Sequence, residues 1–402
     1  MTADLSTPGL AELRRTVESF LPDFLHDLER LVNVDCGSYT RSGVDEVGSW
    51  TGNRLEALGA RVERRPGGDL GDTVVGTFEG HSTGPTVLLI GHLDTVFDPG
   101  TAAARPFATR DGRAYGPGVS DMKSGLLGGL YALAALRALG QRDAPADWLP
   151  VGRVVFVANP DEEIGSPVSG PIIRQLAAHA DVALVLEGAR ANGDIVSARK
   201  GVSDIRLTLR GRAAHAGIEP EKGRSAVLEA AHKIVALHGL NGRWPGVTIN
   251  AGVVRGGTRA NIVPEEASII VDLRAVRRAD QEAAEAAIDE IAHASTVPDV
   301  ATSTEVVARH WPMEKQDAAA RLVDLAVGLA AELGFELNDA ATGGASDANT
   351  TSGMGVPTLD GLGPVGGEDH APGEYIELGS IVPRTTLLAG LLAALGDAYR
   401  RS

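Results

Sequence analysis

Short runs of β-branched and aliphatic residues alternate with helical patterns through the first half of the chain, and few folds accommodate that order. TVVGTFEG, PTVLLIGHLDTV, GRVVFVANP and DVALVLEGAR read as strands. SGLLGGLYALAALRALG and SGPIIRQLAAHA read as the helices between them, the first as a buried one. Strands that are apolar at nearly every position are covered on both faces, which helices on either side of a sheet achieve. The pattern predicts an α/β layer. Ligands of such sheets gather outside the strand C-termini.

From about Ala198 the pattern changes. SDIRLTLRGR alternates with period two, and a helical segment, GRSAVLEAAHKIVALHGL, follows it. Then come GVTINAGVVRGG, EEASIIVDLRAV, a second helix in ADQEAAEAAIDEIAHAS, and ATSTEVVARHWP. This β-α-β-β-α-β order suits an α+β, ferredoxin-like sandwich of one sheet and two helices, inserted as its own domain. Helical patterning resumes after Pro312 in DAAARLVDLAVGLAAELG. The expected division is a discontinuous first domain, 1–197 and 312–402, around an inserted domain, 198–311. A chain of 402 residues is long enough for two cores.

The formal charge of −16 disfavours nucleic acid or an anionic membrane as partner. The N-terminus lacks a basic patch followed by an apolar core, so no signal peptide is expected, and its apolar residues recur at the spacing of an amphipathic helix. No apolar run reads as long enough to span a membrane. The single cysteine, Cys36, allows no intramolecular disulfide and reads as a small apolar filler. A soluble, cytoplasmic protein is the expectation.

Acids and histidines stand just after the strands of the α/β half. LLIGHLDTV supplies His92 and Asp94, and GVSDMKSG supplies Asp121. NPDEEIGS supplies Glu162 and Glu163, LVLEGA supplies Glu187, and GGEDHAPGEY adds His370 in a Gly-rich loop. Singly, each fits a turn or a helix cap. Together they would crowd like charges into one cleft, which needs a cation. Two divalent ions sharing one hydroxide carry +3, balancing Asp121, Glu163 and Glu187. The neutral imidazoles of His92 and His370 add nitrogen ligands without charge. That donor mixture suits Zn²⁺, with Co²⁺ or Mn²⁺ as substitutes. Asp94 is placed to accept the second ring N–H of His92. Neighbours in extended backbone point opposite ways, so one of Glu162 and Glu163 ligates. The other faces the cleft as a free carboxylate, placed to take a proton from water and hand it to a leaving amine.

The set GHLDTV, GVSDMKSG, PDEEIGS, LEGA and TGGASDANTTSG…EDH resembles the M20 family of dinuclear zinc metallopeptidases and amidohydrolases, in the family's own order and through nearly the whole chain. Within it the likeness is nearest to the glutamate carboxypeptidase branch. The resemblance implies a zinc-peptidase-like catalytic domain with an inserted lid and dimerisation domain, two Zn²⁺ per subunit, and a homodimer through the lid. It implies one metal on His92 and Glu187, the other on Glu163 and His370, and Asp121 bridging both. Glu162 takes the place of the general base, Asp94 orients His92, and the peptide bond after Asp121 is cis. In GRAAHAGIEPEKGRSA, His215 would polarise the scissile carbonyl or hold its oxyanion. Asn261, Arg274 and Arg309 take substrate-binding places, the arginines on a carboxylate. Arg309 reads equally well as a surface strand residue. Gly343 and Gly344 would let backbone N–H groups approach a ligand.

The implied reaction is hydrolysis of an amide or peptide bond that releases a C-terminal, glutamate-like amino acid from a peptide or N-acyl amino acid. The first alternative is a deacylase of the acetylornithine or succinyl-diaminopimelate type, and a more remote one is a non-catalytic ligand-binding protein. No G-x-G-x-x-G turn follows the first strands and no G-x-S-x-G elbow appears, which disfavours a nicotinamide oxidoreductase and a serine hydrolase. Lys200 and His310 take no derived role. His26, His81, His179, His232, His238 and His293 read as structural or solvated.

Overall fold

Six strands lie in the order Arg61–Arg65, Thr73–Glu79, Arg153–Asn159, Thr86–His92, Val182–Val185 and Thr358–Leu359. The computed structural model describes residues 9–80, 84–143 and 148–401, so His81 lies outside the described residues. The last four strands are parallel and the first two antiparallel, so the sheet is mixed. Thr86–His92 and Arg153–Asn159 are buried at six of seven positions each, as strands covered on both faces must be. The helices Leu10–Ser19, Leu21–Val32, Ser124–Asp143, Asp317–Leu333 and Ile381–Arg401 share one core with this sheet.

Two sequence readings need correction here. The N-terminal amphipathic pattern is two helices that meet at Phe20, and Pro22 lies in the first turn of the second, where a missing N–H costs least. Residues 1–8 of that pattern lie outside the described residues. One stretch, Leu378–Gly396, is long and apolar enough to cross a membrane, with a mean hydropathy of 1.5. It is 67% buried, and its helix packs on Ser124–Asp143, Leu10–Ser19 and Asp317–Leu333 as a core helix. Its apolar character serves that core.

The described chain divides into two units. The first comprises Met1–Ser197, Lys315–Ala341 and Ser346–Ser402, and the second Ala198–Glu314 with Thr342–Ala345. In the second, the strands Thr248–Gly256, Glu266–Ala275, Gly201–Arg210 and Ala301–His310 form an antiparallel sheet in that order. Period-two burial sets its register: Ile205 opposes Val271 and Leu207 opposes Ile269, all facing inward. The helices Ala226–His238 and Arg278–His293 cover that face with Ala230, Leu237, Ala284 and Ile288. Ser225 caps the first of them, its Oγ accepting from Leu228 N at 3.1 Å. The segment 342–345 joins this unit from far along the chain, where Thr342 O accepts from Lys200 N at 3.0 Å.

The second unit also buries an ion pair. Lys233 Nζ lies 2.8 Å from Glu229 Oε1, with both side chains at most 2% exposed. Glu229 also accepts from Thr296 N and Val297 N, while Lys233 donates to Ile291 O and Ala294 O. Removing one partner strands the other charge. Glu229→Ala is therefore expected to cost about 3–5 kcal/mol, read as an earlier denaturant midpoint for this unit.

Candidate metal centre

Strands Arg153–Asn159, Thr86–His92 and Val182–Val185 run parallel, so their C-terminal ends lie along one edge of the sheet. His92 ends the central strand, opposite Asn159. Glu187 follows the third strand by two residues. Asp121 lies in the turn that leads into helix Ser124–Asp143. That turn needs Gly118, whose φ is +73° and whose Cβ would come within 2.5 Å of Thr95 Cγ2. The Asp121–Met122 peptide is cis, as the resemblance implies.

Asp121 sits between two imidazoles. Its Oδ1 is 2.9 Å from His92 Nε2 and its Oδ2 is 2.9 Å from His370 Nε2. His370 Nε2 also lies 3.1 Å from Glu163 Oε2, and His92 Nε2 lies 3.8 Å from Glu187 Oε1. The structure thus brings His92, Asp121, Glu163, Glu187 and His370 together. His370 takes a left-handed backbone conformation, φ 63°, which costs a non-glycine residue about 1–3 kcal/mol and persists only where the surroundings enforce it.

Glu162 and Glu163 diverge, but not through extended backbone. They open a single 3₁₀ turn, Glu162–Ile164, in which successive side chains lie roughly 120° apart. Glu163 turns to His370, while Glu162 lies with His92 and Glu187. Asp94 departs from expectation in a second way. His92 Nδ1 donates to the main-chain O of Asp94 at 3.0 Å, and the carboxylate stands off at 3.4 Å. The carboxylate instead accepts from the backbone N–H of both Glu162 and Glu163 at 3.2 Å, and from Ser38 Oγ at 2.6 Å. It fixes the acidic turn as much as it does the imidazole.

The charges are in conflict without a cation. Burial pushes the carboxyls of Glu162 and Glu187 well above the usual range. Burial works the same way on Asp121, but hydrogen bonds from His370 and His92 outweigh it and hold that carboxyl far below. Hydrogen bonds to Asp121 and Glu163 lift His370 to about 11. Glu163 Oε1 is buried and has no hydrogen-bond partner. Because Nδ1 of His92 donates to a carbonyl, Nε2 can donate to Asp121 only from the protonated ring, and a cation would take the place of that proton with the Nε2 lone pair as its ligand. Two donors bound about 2 Å from one tetrahedral ion sit roughly 3.3 Å apart, close to the spacings seen here. The residues fit a metal on donor type, spacing and the orphaned oxygen.

The remaining candidates lie in the second unit. His215 is exposed and pairs with Ile262 in a two-residue ladder, its Nδ1 accepting from Gly217 N at 3.2 Å. Asn261, also exposed, accepts through its main-chain O from Ala216 N. Arg274 forks onto Asp272 and donates to Gly343 O at 2.9 Å. Arg309 forks onto Glu285 at 2.6 and 3.0 Å. The Gly344 carbonyl accepts from Arg199 Nη1 at 3.1 Å. Both arginines therefore carry a counter-ion of their own.

Three acids or hydroxyls escaped the sequence reading. Ser38 holds Asp94. Asp347, buried in the SDAN segment, accepts from Ser166 Oγ at 2.6 Å and Asn159 Nδ2 at 2.8 Å, gripping both ends of the acidic turn. Glu374, 1% exposed, accepts backbone N–H groups from the Asp121 turn, and burial lifts its pKa to about 7 against those donors. The only available signal was an acid four residues past His370. Cys36 is buried, burial pushes its thiol up, and the apolar-filler reading stands.

The profile of Peptidase family M20/M25/M40 matches residues 88–394. Carboxypeptidase G2 of Pseudomonas sp. (strain RS-16) is 30% identical, over 93% of this chain and 90% of the relative. N-acetyl-L-citrulline deacetylase of Xanthomonas campestris pv. campestris is 30% identical over 62% of this chain and 65% of its own length. Among solved structures, aminopeptidase PepT from Bacillus cereus superposes with a TM-score of 0.76 at 24% identity, covering 93% of this chain and 98% of that one. That last likeness is one of fold, α/β with an added α+β domain.

Proposed function

The chain belongs to peptidase family M20 and is a hydrolase, and we propose that it cleaves the amide bond that joins a C-terminal, glutamate-like amino acid to a peptide or N-acyl group. One observation carries the reading: Asp121 presents one oxygen to each of two imidazoles, at 2.9 Å, with Glu163 and Glu187 flanking. In this reading His92 and Glu187 hold one ion, Glu163 and His370 hold another, and Asp121 serves both. Zn²⁺ suits the donors best. When bound, such ions lower the pKa of water and act as Lewis acids toward a carbonyl.

The chain's own residues do the rest. Glu162 takes the proton of the attacking water and passes it to the leaving nitrogen. Asp94 and Asp347 keep its turn in place from two sides. His215 accepts at Nδ1, which leaves its proton on Nε2 and makes that edge a donor suited to a developing oxyanion. A homodimer through the second unit completes the reading. Its edge strand Thr248–Gly256 exposes Val254, and its helix Ala226–His238 exposes Leu228 and Val235, the last 75%. Association covers such a patch and caps a free sheet edge. A reducing, cytoplasmic setting accords with a lone buried thiol.

A second reading, N-acyl-amino-acid deacylation, draws on the likeness to N-acetyl-L-citrulline deacetylase. Its substrates carry a carboxylate too, so the ion pairs of Arg274 with Asp272 and Arg309 with Glu285 bear on both readings alike. A side-by-side assay of an N-acyl-glutamate, a dipeptide panel and N-acetylornithine separates the two. The highest kcat/KM is expected on the acyl-glutamate. Preference for N-acetylornithine would transfer the assignment to the deacylases.

A further inference from the structure

Glu374 is a buried carboxylate that accepts from three main-chain N–H groups. Its Oε2 accepts from Gly118 N at 3.0 Å, and its Oε1 accepts from Ser120 N at 2.8 Å and Asp121 N at 3.0 Å. Amide groups converging from a turn with a left-handed residue, here Gly118, make a concave anion site. The chain fills that concavity with its own side chain. Glu374 stands four residues after His370, and the strand that follows it, Tyr375–Glu377, pairs with Arg113–Tyr115, the strand leading into the same turn. The loop before it holds Glu368 and His370 at positive φ, 57° and 63°, a conformation that needs external restraint. The carboxylate therefore ties two segments more than 240 residues apart, one carrying Asp121 and the other His370.

We propose that Glu374 is a positioning residue that fixes the Asp121 turn to the His370 loop and so sets the distance between these two side chains. The idea rests on the reading of both as metal ligands. Groups that orient ligands without touching the ion typically change metal affinity 10–100-fold when altered. Glu374→Gln keeps the volume but turns an NH₂ toward at least one N–H, setting donor against donor in a buried place. Glu374→Asp keeps the charge but shortens the reach.

The test is competition titration of Zn²⁺ against a chromophoric chelator, with the visible spectrum of the Co²⁺-substituted protein and the melting temperature of the metal-free protein beside it. Wild type is expected to take up two equivalents. In Glu374→Gln the weaker equivalent is expected to bind 10–100-fold less tightly, with an altered Co²⁺ spectrum, and Glu374→Asp is expected to recover part of that loss. Two equivalents with unchanged affinities and spectrum in Glu374→Gln, alongside a lower melting temperature, would reduce Glu374 to a structural prop and overturn the proposal alone. Wild type that takes up no metal would overturn the ligand reading and this inference with it. If Glu374→Gln does not fold, unchanged affinities in Glu374→Asp overturn the proposal in the same way.

Discussion

Glu162→Gln is expected to lower kcat by roughly 10²–10⁴-fold, the usual worth of a positioned general acid–base group, while metal content stays near two equivalents. The two halves of that expectation come from one short turn. Glu162–Ile164 sends adjacent carboxylates to different neighbours, Glu163 to His370 Nε2 at 3.1 Å and Glu162 to the side of His92 and Glu187. The amide of glutamine has almost the same shape and accepts hydrogen bonds, but it cannot receive a proton at neutral pH. The backbone N–H of residue 162 still donates to Asp94, so the turn keeps its anchor. Glu163→Gln should behave oppositely, losing metal first and activity as a result. Elemental analysis and steady-state kinetics on the two variants distinguish the roles. A Glu162→Gln protein with near-normal turnover would remove the general base from the mechanism.

Much of this centre was legible because strand ends concentrate chemistry. An apolar run that stops at His92, Asn159 or Val185 marks the edge of a parallel sheet, and the acids just beyond it share that edge by topology alone. The period-two strands of the second unit were legible for a related reason, since only one face of that sheet is buried and one register satisfies it. What sequence could not convey was which partner each side chain takes. Extended backbone and a 3₁₀ turn both separate Glu162 from Glu163, and three residues carry too little pattern to decide between them. Asp94 was expected to hold an imidazole, and its carboxylate, 3.4 Å from His92 Nδ1, also takes two N–H groups and Ser38. Arg274 and Arg309 meet acids two and twenty-four residues away in sequence, Asp272 and Glu285. Glu374 reaches N–H groups over 250 residues away, with no periodicity to announce it. Partner choice among charged side chains is settled by tertiary contact, and local spacing does not encode it.

Chelation is expected to abolish hydrolysis and to lower the melting temperature, and addition of Zn²⁺ or Co²⁺ should restore both. Asp121→Ala should imitate the chelated state and should no longer respond to metal. The stability effect has a definite sign. A metal that binds the native arrangement and not the unfolded chain stabilises it by RT ln(1 + [L]/Kd), about 2.7 kcal/mol at a hundredfold excess over Kd. Removing it also leaves Asp121, Glu163 and Glu187 facing one another with only two imidazoles to offset them. Asp121→Ala relieves part of that repulsion but deletes the one carboxylate that meets both His92 and His370. Because those two hydrogen bonds hold the Asp121 carboxyl far below its usual range, that loss outweighs the relief, and the metal-free form should melt lower than metal-free wild type. Turnover falls at least about 10³-fold, since both proposed ion positions lose a shared ligand. Differential scanning calorimetry with and without metal, beside activity, reads both consequences. Full hydrolysis after exhaustive chelation, or a melting temperature of Asp121→Ala that still climbs with Zn²⁺ as wild type does, would mean that these side chains converge for some reason other than holding metal.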